Sequence, residues 1–152
     1  MSHQAALSER PAITAPPAAD PAPYTPVFFT AAEYACVDAI AARIIPSHDT
    51  PGAQEAGVAV YIDETVQQDP QLYELYRQGL APFIAAGFVE LSCADQDAVL
   101  KQLDEASPFW QSIRRLTIEG YYTSEIGLAE LGYSGSTCRA EFTGCTHPEH
   151  RL

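Results

Sequence analysis

The sequence predicts an all-α fold, a compact bundle of about five helices. Three observations carry that expectation. Apolar residues recur at spacings of three and four through most of residues 30–123, and no convincing strand interrupts them. Capping residues precede these stretches, and proline or glycine follows them. The chain of 152 residues is 47% hydrophobic, enough to bury one core. The expected organisation is a proline-rich, extended or disordered arm over 1–27, a helical domain over 28–135, and an irregular tail over 136–152.

The arm carries Pro11, Pro16, Pro17, Pro21, Pro23 and Pro26. Proline at that density removes backbone donors and disfavours helix. Thr30-Ala-Ala-Glu33 then reads as a capping box, with Phe28 or Phe29 placed to staple onto Tyr34. Tyr34, Val37, Ile40, Ala41, Ile44 and Ile45 continue the first helix until Pro46, because the residue before a proline avoids the α region. The loop 47–52 contains His48, Asp49, Thr50, Pro51 and Gly52, a set that suits an Asx turn.

A second helix is expected over 58–68, with Val58, Ile62, Thr65 and Val66 inward. Asp69-Pro70 supplies a cap and a proline at the first helical position. The third helix is expected to run to about Phe88, kinked or split by Pro82. Ser92 caps a short fourth helix bearing Val99, Leu100 and Leu103. Ser107-Pro108 opens the fifth, whose stripe is Phe109, Ile113, Leu116 and Gly120, flanked by Trp110, Thr117 and Tyr121. A glycine inside a helix costs about 1 kcal/mol relative to alanine, so Gly120 implies a close packing contact. After Thr123 the helical pattern breaks down.

Twenty acidic and eight basic residues give a net charge of −12. Such a surface repels nucleic acid and anionic membranes. No apolar run is long enough to span a bilayer. The N-terminus has neither an arginine pair nor an apolar core of the secretory kind, so no signal peptide is read in this sequence. The expected chain is cytosolic, a mature form lacking its leader, or exported on another protein. Only 18% of residues are charged, which mildly favours a covering partner.

Cys36 and Cys93 fall in helical patterns and are expected to be buried. Cys138 and Cys145 lie in the tail, where a disulfide would contribute about 2.5 kcal/mol in the chain-entropy model. Cys138, Cys145, His147 and His150 also make a loose zinc pattern, against which a disulfide or free thiols are favoured. One histidine and one aspartate, His48 and Asp49, complete neither a zinc set nor a triad. No serine elbow or phosphate loop is present, so no catalytic, cofactor-binding or metal residue is assigned. Arg114 and Arg115 are adjacent cations in an acidic chain. Surface pairing is the ordinary outcome for them, and docking on an acidic partner the sharper one.

Three segments together resemble the gluconate 2-dehydrogenase subunit 3 family. They are Phe29-Thr-Ala-Ala-Glu33 leading to Ala41-Ala-Arg-Ile-Ile-Pro46, then Asp49-Thr-Pro-Gly-Ala53 with Gly57 and Tyr61-Ile-Asp63. The third is Thr117-Ile-Glu-Gly-Tyr-Tyr-Thr-Ser-Glu-Ile-Gly127, with Gly144-Cys145 near the end. Residues 120–125 are similar to the branch reading Gly-Tyr-Phe-Thr-Ser-Glu, with Tyr122 in the phenylalanine position. Small subunits of glucoside 3-dehydrogenase-like enzymes are a close analogy.

The resemblance implies a non-catalytic small subunit, with no cofactor of its own. Its implied partner is a large FAD-dependent dehydrogenase subunit of the glucose-methanol-choline type, oxidising a sugar, sugar acid or polyol. A cytochrome c is the implied electron acceptor. Family members often carry a twin-arginine signal and take the folded flavoprotein to the periplasm, which is the expected location here. On this reading Pro46, Asp49, Thr50, Pro51, Gly52 and Gly120 are a structural signature. The candidate partner interface is Arg114, Arg115, Tyr121, Tyr122 and Phe142. A stand-alone helical metal protein and a general adaptor are the competing readings.

Overall fold

The computed structural model describes residues 24–133. Cys138, Phe142 and Cys145, with the tail's histidines, lie outside the described residues, as does most of the arm. Every regular element among the described residues is helical: α1 Ala31–Ile44, α2 Val58–Gln68, α3 Pro70–Ala85, a 3₁₀ turn Phe88–Glu90, α4 Cys93–Leu100, α5 Pro108–Thr123 and α6 Glu125–Glu130. The all-α expectation holds, with one short helix more than the five that the sequence pattern gives.

Local chemistry sets most of the boundaries. Thr30 Oγ1 accepts from Glu33 N at 3.3 Å while Glu33 Oε2 accepts from Thr30 N at 2.8 Å, completing the capping box. The Asp69 side chain caps α3, and Pro70 occupies its first turn. Ser92 caps α4 through Asp95 N. Helix α2 instead starts from Gly57, whose φ of 69° is left-handed and suits glycine.

Helix α5 lies against α1, α2 and α3 at once. Its stripe of Ile113, Leu116, Gly120 and Tyr121 packs among Val37 and Ile40, Val58 and Ile62, and Tyr76 and Leu80, all buried. Two helical glycines let it come close. A Cβ on Gly120 would lie 2.7 Å from the Tyr61 ring, and one on Gly79 would run into the Phe109 ring. The contact expected at Gly120 is therefore present, whereas Gly79 carried no signal that the helical pattern isolates. Aromatic edges continue the core through Phe29, Tyr76, Phe109 and Phe83 at centroid distances of 5.5–6.1 Å.

Several expectations are corrected. Pro82 does not split α3, which runs on to Ala85. Pro82 and Gln78 both lie on the solvent face, where water can serve the carbonyl that loses its donor. The helix stops short of Phe88 because Gly87, at φ 63°, turns the chain into the 3₁₀ segment. Cys36 is buried as expected, but Cys93 is exposed. It opens α4, whose inward positions are Gln96 and Leu100. Thr65 is only half-buried and donates its hydroxyl to Tyr61 O at 2.7 Å. Tyr34 also packs against Tyr24, with ring centroids 5.6 Å apart.

The expected end of the arm also moves. Asp63, on α2, has no exposed surface and gathers residues 24–29. Its carboxylate accepts from Val27 N at 2.6 Å, Phe28 N at 3.1 Å and Phe29 N at 2.8 Å. The Tyr24 hydroxyl also donates to it, at 2.8 Å. Tyr24 and Val27 thus belong to the folded body rather than to an arm ending at 27.

Candidate functional site

The loop after Pro46 and the end of α5, far apart in sequence, meet in the fold. Ala53 N returns to Ile45 O at 2.9 Å, closing the loop on the end of α1. Glu55 accepts from the Ser47 hydroxyl at 2.7 Å and from Gly52 N at 2.9 Å. A Cβ on Gly52 would lie 2.6 Å from both Ile45 O and Ser47 N, so the return path has room only for glycine. The Asx turn is not what holds this loop. Asp49 is exposed and accepts no hydrogen bond among the described residues, and the Ser47–Glu55 pair does the fastening. That hydrogen bond, first among the causes, holds the Glu55 carboxyl below its ordinary value.

Tyr121 joins the two segments. Its ring is buried, and its hydroxyl lies 2.8 Å from both Pro51 O and Glu130 Oε2. The hydrogen bond to Glu130 raises its pKa first of all. Ser124 Oγ donates to Tyr121 O at 2.6 Å and accepts from Gly127 N at 3.1 Å, capping α6. A side chain at 127 would collide with the Tyr121 carbonyl. The Tyr-Tyr-Thr-Ser-Glu-Ile-Gly run is thus a packing unit that clamps the Pro-Gly loop. The model of the family described as gluconate 2-dehydrogenase subunit 3 matches residues 31–135. The chain belongs to that family. No curated protein and no solved structure gives a significant match.

For a gluconate 2-dehydrogenase subunit 3 protein, the residues picked as a partner interface divide sharply. Tyr121 is buried, and its hydroxyl is bonded within the chain. Tyr122, its T-shaped neighbour at 5.1 Å, is exposed. Arg114 pairs with Glu105 and Arg115 with Glu119, each at 2.9 Å and each exposed. Exposed pairs of this kind contribute roughly 0–1 kcal/mol. His48, beside Asp49, is exposed too. Among the described residues no three His, Cys, Asp or Glu side chains stand together as metal ligands. No described helix is long and apolar enough to cross a membrane.

Tyr122 and Arg114 border an open groove of about 630 Å³. Its walls are the end of α1, α4 with the turn after it, and one face of α5. Ile44, Leu100, Trp110 and Ile118 make the floor and sides, and Arg43 and Lys101 stand on the rim. Arg43 is held by Asp97 in a two-pronged pair at 2.7 and 3.0 Å. That contact raises the pKa of Arg43 and lowers that of Asp97. The sequence alone could not assemble this groove, because its walls come from positions 43–122.

Proposed function

We propose that this chain is a non-catalytic small subunit that binds and stabilises a large FAD-dependent dehydrogenase subunit of the glucose-methanol-choline type. The partner holds the FAD and oxidises a sugar or sugar acid, passing electrons to a cytochrome c. The complex works in the periplasm, and the small subunit assists export of its folded partner. The observation that carries this reading is family membership over residues 31–135. The described polar side chains support it. Their hydrogen bonds cap helices, anchor the lead-in and fasten a loop, which suits a structural role beside a larger subunit.

The test is a tagged pull-down of the full chain from source cells, with a visible spectrum and mass spectrometry of the eluate. A yellow eluate with one large flavoprotein at fixed stoichiometry is the expected result. A colourless eluate holding this chain alone, or this chain with stoichiometric metal, overturns the reading.

A further inference from the structure

We infer that the groove between α1, α4 and α5 is the docking face for a segment of the large subunit that presents apolar side chains flanked by carboxylates. This inference rests on the accessory-subunit reading and names the face it uses. Charge complementarity singles out the groove. Five cations fall among the described residues, and Arg43, Lys101, Arg114 and Arg115 all lie in it or in the shallow concavity beside it. The fifth, Arg77, sits over the Phe28 ring elsewhere. Asp97, Glu105 and Glu119 stand among these four cations, which leaves one positive charge in excess there, on a chain whose net charge is −12.

The floor supplies the apolar half. Ile118 and Tyr122 are 44% and 41% exposed, large side chains left uncovered on the same wall. Trp110 lines the groove beside them, and its indole N–H has no acceptor among the described residues. The cations there other than Arg43 are exchangeable. Arg114 and Arg115 are held by exposed pairs, and Lys101 has no ion pair among the described residues. A partner carboxylate can take Lys101, Arg114 or Arg115 at little cost, whereas Arg43 stays with Asp97.

Lys101 is the only lysine in the sequence, which makes the test specific. The full-length chain and its co-purified flavoprotein are treated with a zero-length carbodiimide cross-linker, which joins an amine directly to a carboxylate. The expected product links Lys101 to an Asp or Glu of the large subunit. In parallel, K101E/R114E and Ile118→Ser are expected to lower flavin recovered per small subunit by about tenfold or more, while K101R retains it. Circular dichroism checks that the variants fold. Unchanged recovery for both variants, with no Lys101 link to the large subunit, overturns the inference and leaves the accessory-subunit reading standing. A Lys101 link only to residues 134–152 of the same chain, or only to a second copy, overturns it in favour of those occupants. Absence of any flavoprotein with the unaltered chain overturns both.

Discussion

Four donors from residues 24–29 converge on the carboxylate of Asp63, which is wholly buried. Without them, a buried carboxylate on an otherwise apolar helix face would be strongly unfavourable. With them it is a charge-assisted anchor. Burial first, and the hydrogen bond to Asp63 second, raise the pKa of Tyr24, so its hydroxyl remains a donor throughout the ordinary pH range. Asp63→Ala leaves these donors without an acceptor and is expected to lower stability by about 3 kcal/mol or more. Asp63→Asn keeps one acceptor oxygen and should lose less. Urea unfolding followed by circular dichroism measures both, and an unchanged midpoint for the alanine variant refutes the anchoring role. In the sequence Asp63 stands out only through the family motif Tyr61-Ile-Asp63, which says nothing of what it binds. Its partners are about 35 residues earlier, beyond the reach of any local pattern.

The loop between α1 and α2 shows how an element acquires its shape from a few contacts. At Gly52 an added methyl meets backbone on two sides, which cannot move without opening the loop. Gly52→Ala is therefore expected to cost about 1–3 kcal/mol. At Gly120 the obstacle is the half-exposed Tyr61 ring, which can swing aside, and alanine is the better helix former there. Gly120→Ala should cost less than Gly52→Ala, as the order of thermal midpoints will show. The reverse order would contradict this account.

The same loop carries a pH signature. Glu55 ionises more readily in the folded chain than at its unperturbed value of 4.5, chiefly because Ser47 donates to it. Its contribution is complete above that value and is lost as pH falls through the lowered folded value. Glu55→Gln should flatten the loss of stability as pH falls below 4.5. An unchanged slope in urea titrations at stepped pH would count against the Ser47–Glu55 fastening.

At the scale of the molecule, α5 is the central beam. It meets α1, α2 and α3 on its inner faces and leaves Ile118 and Tyr122 on the outer one. The lead-in is fixed from Tyr24 onward, which separates two truncations that the sequence treats alike. Removing residues 1–23 should leave helicity and thermal midpoint unchanged, because the donors to Asp63 remain. Removing residues 1–29 should lower the midpoint by several degrees, about 4–8 °C per kcal/mol in a domain of this size. If both truncations melt alike, the clasp contributes nothing. Deletion of 1–23 or of 136–152 is expected to weaken the complex with the large subunit more than it lowers helicity. Equal affinity after both deletions would show that the termini add nothing to binding.

The sequence by itself determined the helical class, the start of every helix but the last, and the apolar stripe of α5. Those features depend on caps, prolines and a 3.6-residue period, all of which act within a few residues. The family signature was legible for the same reason, since its motifs are contiguous. Tertiary structure decided the rest. The six-residue α6 is held by Gly127 packed on Tyr121 and by a Ser124 cap, too short to show a period of its own. Cys93 came out exposed because the inward face of α4 is set by its neighbours, Tyr121 became a core residue because the loop at Pro51 reaches it, and Asp63 was buried because a distant segment supplies its donors. Each depends on groups brought together across long stretches of chain, where no local propensity carries information.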